Sequence, residues 1–150
     1  MSYEKEALPE VASHLLEECR MVLPGIQALF GFQLIAVFNG RFWEVLTDGQ
    51  RIIHLLAMIL VAVSVALVMT PAAYHRQALR DAVSHFFIAF ASRCLLMGMF
   101  PLLLGIVLDI YLISNLILAS AVWAVLVSFF LAALYVGLWF ISPYVLRPDR

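Results

Sequence analysis

The chain has 150 residues, of which 65% are hydrophobic and 13% are charged, and its formal net charge at pH 7 is -1. Soluble domains are about half apolar and about one-quarter charged, so this composition, with a mean hydropathy of +1.01, indicates a membrane protein. The near-zero net charge argues against a nucleic-acid partner, because nucleic-acid binding requires a basic surface.

The first predicted element is an amphipathic helix over about residues 8–20. Its apolar residues recur at spacings of three and four, which places them on one face of a helix. They are Leu8, Val11, Ala12, Leu15, Leu16, Cys19, Val22 and Leu23. The opposite face carries Glu10, His14 and Glu17, whereas helices that lie on anionic lipid usually present Lys and Arg. We therefore expect this polar face to contact protein rather than lipid.

Four apolar segments are long enough to cross a bilayer, for which a helix needs about 20 residues. They cover residues 21–38, 52–69, 86–108 and 116–141. Because a lipid-exposed segment must satisfy its backbone hydrogen bonds internally, each is predicted to be a helix. The sequence therefore predicts an all-α fold, an integral membrane four-helix bundle with an N-terminal amphipathic helix, forming a single transmembrane domain over residues 1–150.

Turn signals separate the predicted spans. Asn39-Gly40 marks a turn after the first span. Thr70-Pro71 is expected to end the second span, with the threonine capping a short polar connector helix over residues 72–84. A tight reversal is expected between the third and fourth spans, bracketed by Asp109 and Asn115, and Ser142-Pro143 is expected to stop the fourth span.

The positive charges of the loops predict the orientation of the spans. Six Lys and Arg residues lie on the side that holds the N-terminus, the second connector and the C-terminus: Lys5, Arg20, Arg76, Arg80, Arg147 and Arg150. The other side has Arg41 and Arg51. Because cytoplasmic loops carry the excess of positive charge, both termini are expected in the cytoplasm.

Arg93 lies within the third predicted span and needs water or an anion, because a guanidinium keeps its proton. Glu18 is its predicted partner, with Glu17 as the second choice, since both lie at the cytoplasmic end of the bundle. The predicted intramembrane polar cluster at this end consists of Glu17, Glu18, Arg20, Gln27, His75, Arg76 and Arg93. We interpret it as a structural lock between helices; a proton or ion relay and a site for a lipid or ligand headgroup are the alternatives.

Small residues recur every four positions along the fourth predicted span: Ser120, Ala124, Ser128 and Ala132. Such a stripe lets another backbone approach closely, and it predicts a helix-packing seam, either within the chain or between subunits.

The sequence offers no catalytic constellation. It contains no nucleophile with a base and no phosphate-binding loop, and His54 has no histidine or carboxylate at metal-ligand spacing. We therefore predict no catalytic residue, no metal site, no cofactor and no enzymatic activity. No Asp or Glu falls in the middle of a predicted span, which argues against a transport site at the midplane of the membrane.

Several stretches resemble a bacterial family of small four-span membrane proteins. They are Leu15-Leu16-Glu17-Glu18-Cys19-Arg20, Leu23-Pro24-Gly25-Ile26-Gln27, Pro71-Ala72-Ala73-Tyr74-His75-Arg76, and Arg93 in the third span. The resemblance covers about residues 12–110, and the fourth span matches in being apolar. Some members of that family carry the label sodium:proton antiporter, so the resemblance implies a bacterial inner-membrane protein and proton-linked cation transport as one possible activity.

These observations predict a non-enzymatic inner-membrane protein with lipid around it. Its expected role is that of a small subunit or accessory protein of a homo-oligomer or a larger membrane complex, because of the small-residue seam and the acidic N-terminal helix. A proton-linked sodium transporter that uses Glu17, Glu18, His75 and Arg93 is the alternative, and a small oligomeric channel is a third possibility.

Overall fold

The structure, a computed structural model, describes residues 2–78 and 84–146. Within these ranges it is helical and contains no strand. The helices are α1 Ser2–Phe38, α2 Gly40–Val45, α3 Asp48–Ala78, α4 His85–Leu118, α5 Ala121–Val136 and α6 Ser142–Val145, with a π-helical turn over Gly137–Ile141 between the last two.

Four helical regions are long and apolar enough to cross a membrane: Leu8–Phe38, Asp48–Gln77, His85–Leu118 and Ala121–Val145. The predicted all-α four-helix architecture is confirmed, and the chain is a multi-pass membrane protein. The most extensive contact is between α3 and α4; α1 packs against both, and α5 packs against α4.

The predicted amphipathic helix and the first predicted span form one continuous helix, α1, which passes through Pro24 without a break. Its buried residues are spaced by seven: Ala12, Cys19, Ile26 and Gln33. Residues seven positions apart lie on the same side of a helix, two turns from each other. The apolar face predicted for residues 8–20 therefore continues along the whole helix and packs against α3 and α4.

The contact between α3 and α4 is close because glycines on α4 face small or branched residues on α3. A Cβ atom at Gly105 would lie 2.8 Å from Val61 Cγ2 and 3.1 Å from the carbonyl oxygen of Ala57. About two turns before Gly105 on α4, the carbonyl oxygen of Gly98 accepts a 2.8 Å hydrogen bond from Ser64 Oγ of α3. Ala57, Val61 and Ser64 are fully buried, so this contact forms the centre of the bundle.

The predicted boundary at Thr70-Pro71 is wrong, because α3 continues through Pro71 to Ala78. Thr70 Oγ1 donates to the carbonyl oxygen of Ala66 at 2.8 Å and does not cap a new helix. Transmembrane helices tolerate an internal proline when neighbouring groups satisfy the freed backbone atoms. Of the predicted connector over 72–84, residues 72–78 extend α3 and residues 79–83 lie outside the described residues.

The predicted reversal at Asp109 and Asn115 is also wrong, because both residues lie inside α4. The chain reverses at Ala119, whose φ of 48° is left-handed, before α5 begins at Ala121. The third span is therefore longer than predicted at its C-terminal end, and Asp109 belongs to the interior of a spanning helix.

The residues of the predicted seam lie between α5 and α4. Ala124 and Ser128 are buried, and Ser120 and Ala132 are half-buried. Ser128 Oγ donates to the carbonyl oxygen of Ala124 in its own helix at 2.8 Å. Since α5 packs against α4, the buried part of the seam, at Ala124 and Ser128, is covered within the chain.

Candidate functional site

The predicted polar cluster does not form an interior site. Its members Glu17, Glu18, Arg20, Gln27, Arg76 and Arg93 are exposed, and His75 is half-buried. No ion pair within 4.0 Å joins Arg93 to Glu17 or Glu18 among the described residues, and Arg93 makes no hydrogen bond there. Glu17 lies 3.9 Å from His14 of its own helix instead. The expected ion pair between α1 and α4 is therefore not formed.

The reason lies in which face of each helix is buried. Cys19 and Cys94, the residues that follow Glu18 and Arg93, are the buried ones. Consecutive residues on an α-helix are turned by about 100°, so the residue before a buried position lies to the side of the contact. Glu18 and Arg93 were paired because they were expected at the same end of the bundle, but neither lies on the buried side of its helix.

A different polar network lies inside the bundle, where α1, α3 and α4 meet. Gln33 of α1 and His54 of α3 are buried, with exposed fractions of 4% and 7%, and the side chain of Asp109 on α4 is 15% exposed. Gln33 Nε2 donates a 2.6 Å hydrogen bond to Asp109 Oδ2. His54 Nδ1 lies 3.5 Å from Asp109 Oδ1, and His54 Nε2 lies 3.1 Å from the carbonyl oxygen of Gln33.

The three residues meet because they lie at similar depths on their helices. At about 1.5 Å per residue, Gln33 is about 8 Å from the end of α1 and His54 about 9 Å from the start of α3. Asp109 is about 14 Å from the end of α4 on the same measure. The network is therefore more than a helical turn inside the bundle, at the end where the loop between α1 and α3 lies.

The hydrogen-bonding partners define which groups donate and which accept. Asp109 accepts from the Gln33 amide, as an ionised carboxylate does. Both ring nitrogens of His54 face oxygen acceptors, so an imidazolium could donate on both sides, whereas a neutral ring has one donor. The geometry thus suits a carboxylate–imidazolium pair, which is neutral overall. Gln33 Oε1 is buried and has no hydrogen-bond donor.

A cavity of about 730 Å³ adjoins the network. Gln33, His54 and Asp109 supply polar groups to its lining, and apolar side chains of α1, α2 and α4 form its walls. A second cavity of about 330 Å³ is lined by His54 together with Trp43 and Arg51. His54 therefore borders both cavities, and its ring packs edge-on against Phe42 with the ring centroids 5.2 Å apart.

This arrangement can hold or transfer a proton between a carboxylate and an imidazole, and it can bind a cationic group at the carboxylate. Among residues 2–78 and 84–146, no group of three or more His, Cys, Asp or Glu side chains is placed to hold a metal ion.

The sequence contained one signal for this site. The apolar stripe that includes Ala12 and Cys19, extended by two further steps of seven, reaches Ile26 and Gln33. Gln33 is therefore the polar residue on the buried face, whereas Gln27, which was assigned to the predicted polar cluster, is exposed. The pairing of His54 with Asp109 had no comparable signal, because a reversal was expected at Asp109.

Comparison with known proteins identifies one family. The model of a family of unknown function, DUF6328, matches residues 4–143. No curated protein and no solved structure matches the chain. With nearly its whole length covered by that match, the chain belongs to the DUF6328 family of unknown function.

Proposed function

We propose that the protein is a non-enzymatic proton-linked transporter of a cation, in which His54 and Asp109 exchange the proton. The observation that carries this proposal is the His54–Asp109 pair, 3.5 Å apart inside the bundle and beside a cavity of about 730 Å³. An ionisable residue within a spanning helix is costly to insert, and such residues commonly mark ion or proton pathways.

A coupled transporter needs one group for which a proton and a cation compete. Asp109 meets this requirement, because its carboxylate can be neutralised by the imidazolium of His54 or by a cation that enters from the cavity. The residues first expected to form a relay, Glu17, Glu18 and Arg93, are exposed and fit this role less well. Binding of the cation would release a proton from the pair, which links the two fluxes.

The proposed setting is the inner membrane of a bacterium, with both termini in the cytoplasm. The excess of Lys and Arg on that side supports this orientation. A cysteine introduced at Asp48, which is exposed at the start of α3, should react with a membrane-impermeant maleimide added from outside the cell. Labelling only after the membrane is opened would reverse the proposed orientation.

Reconstitution into liposomes that enclose a pH-sensitive dye tests the transport proposal. Addition of sodium, potassium or organic ammonium ions to the outside should cause proton movement with at least one of them. Asp109→Asn should abolish that movement, whereas Glu18→Gln, which removes an exposed carboxylate, should leave it unchanged. The proposal fails if wild type and Asp109→Asn give the same signal with every cation.

A second candidate function, a subunit of an oligomeric complex, is favoured by exposed polar groups in the spanning regions. Arg93 and Gln27 are exposed, and neither makes an ion pair or a hydrogen bond with the described part of the chain. A carboxylate of a partner would satisfy Arg93 by paired hydrogen bonds. Native mass spectrometry in mild detergent should then show an oligomer that Arg93→Leu dissociates; a wild-type monomer that retains no other protein would exclude this function.

A further inference from the structure

The cavity beside Asp109 has the properties of a site for an organic cation, and we propose that it binds a protonated amine with an apolar body. This inference rests on the proposed function, since it names the class of cation that the site accepts. It follows from the size of the cavity, the character of its walls and the acceptors at its polar end.

The size of the cavity favours an organic molecule over a metal ion. Its volume of about 730 Å³ falls within the range of roughly 300–1,000 Å³ that is typical of small-molecule sites. An alkali ion needs a compact shell of oxygen ligands, and the described residues contain no cluster of three acidic, histidine or cysteine side chains that could hold a metal ion. A bare ion would therefore leave most of the cavity unfilled.

Most of the cavity wall is apolar, the polar lining residues being Gln33, Asn39, Arg41, His54 and Asp109. Leu29 and Phe32 come from α1, Phe42 from α2, and Ile106 and Ile113 from α4. Burial of hydrocarbon against such walls is favourable in proportion to the apolar area removed from water. A ligand with an aliphatic or aromatic body would gain affinity here, whereas a small hydrated amine would not.

The polar end of the cavity presents hydrogen-bond acceptors. The carboxylate of Asp109 lines the cavity, and so does Gln33, whose buried Oε1 has no donor within the described structure. A buried acceptor without a donor is unfavourable, so a ligand that brings N–H groups gains by supplying one. A protonated amine offers three such donors together with a positive charge, while an anion would be repelled by Asp109.

His54 and the amine compete for the same carboxylate. The charged groups that line the two cavities beside His54 are Asp109, Arg41 and Arg51. Arg41 is exposed and Arg51 pairs with Asp48 at 2.7 Å. Among the described residues, Asp109 is the one carboxylate within 4.0 Å of the imidazole. Amine binding at Asp109 therefore requires a neutral His54, which couples ligand entry to release of a proton.

Isothermal titration of the detergent-solubilised full-length protein with 4-phenylbutylamine at pH 8 tests the proposal. The amine remains protonated at this pH, because aliphatic amines resemble lysine, with a pKa of about 10.4. We expect saturable binding that is weakened at least tenfold by Asp109→Asn and left unchanged by Glu18→Gln. The alcohol 4-phenylbutan-1-ol, which has the same body without the charge, should bind at least tenfold more weakly than the amine.

A second variant separates loss of the site from loss of the fold. Ile113→Trp should occupy part of the cavity and abolish amine binding without altering any charge, and circular dichroism of both variants should match wild type. If the alcohol binds as tightly as the amine, or if a co-purified phospholipid fills the cavity and the amine does not displace it, the proposal is overturned.

The amine titration and the liposome assay distinguish failure of this inference from failure of the transport proposal. Amine binding without any proton movement in liposomes would retain this inference and exclude transport. Sodium-driven proton movement that depends on Asp109, in a protein that does not bind the amine, would retain transport and exclude this inference.

Discussion

Asp109 Oδ1 lies 3.5 Å from Nδ1 of His54, and the two residues belong to different helices, α4 and α3. Gln33 of α1 completes the contact by donating to the other carboxylate oxygen at 2.6 Å. A single carboxylate therefore connects the three helices that form the centre of the bundle. Because all three side chains are largely buried, changes at this position should affect both stability and ligand binding.

Replacement of Asp109 by leucine should destabilise the bundle more than replacement by asparagine. Leucine leaves the Gln33 amide and His54 without their acceptor, and removal of one partner from a buried pair costs about 3–5 kcal/mol. Asparagine keeps an oxygen for the Gln33 amide and should cost less. Reversible unfolding of the two variants in mixed micelles measures the difference; equal stabilities would show that the network does not hold the helices together.

Gly105→Ala should push α3 and α4 apart. The added methyl group would lie 2.8 Å from Val61 Cγ2, and overpacking of this kind costs about 1–3 kcal/mol. Gly31→Ala is the matched control, because no atom lies within 4 Å of its new methyl group. The same unfolding measurement should show a loss for Gly105→Ala alone, and Val61→Ala in the same chain should restore part of it.

The two buried serines should differ in their contribution to stability. Ser64 donates to Gly98 on the neighbouring helix, whereas Ser128 donates to a carbonyl oxygen of its own helix. Interhelical hydrogen bonds in membranes contribute about 0.6 kcal/mol on average and up to about 1.7 kcal/mol. Ser64→Ala should therefore lower the free energy of unfolding by an amount in this range, and Ser128→Ala by less. The reverse order would show that the α3–α4 hydrogen bond contributes little.

Affinity for 4-phenylbutylamine should rise with pH. Protonated His54 neutralises Asp109 and competes with the amine, so removal of that proton as the pH rises favours binding. One proton released for each ligand bound gives a change of up to about tenfold per pH unit while His54 is protonated. Titrations between pH 5.5 and 8 measure this slope. His54→Gln should flatten it, and an affinity that falls with rising pH would contradict the competition.

Much of the fold could be predicted, because membrane insertion depends on segment length and hydropathy. The apolar face of residues 8–20 also predicts the packing side of α1, since Ala12 and Cys19 are buried. The ends of helices were less predictable. Pro71 is of a type that normally interrupts helices in water and Asn115 is a weak helix former. Both lie within helices here, because in lipid an unpaired backbone group is costlier than a poor helix former.

The candidate site was missed because the sequence indicates how far along the bundle a residue lies more readily than it indicates the direction of the side chain. Arg93 and Glu18 were placed at the same end of the bundle, yet both are exposed and no ion pair joins them. His54 and Asp109 are common residue types near the ends of apolar segments, where charged groups usually reach the aqueous boundary. Their pairing depends on how far α4 extends beyond Asp109, which the hydropathy pattern did not reveal.

The position of α5 bears on the order in which the helices assemble during synthesis. Among the described helices, α5 packs against α4 and contributes none of Gln33, His54 and Asp109. Translation completes α1, α3 and α4 before α5, so the buried pair can form while the last span is still being synthesised. Early neutralisation of the Asp109 charge would ease the transfer of α4 into lipid, and α5 would then be added to a core that is already assembled.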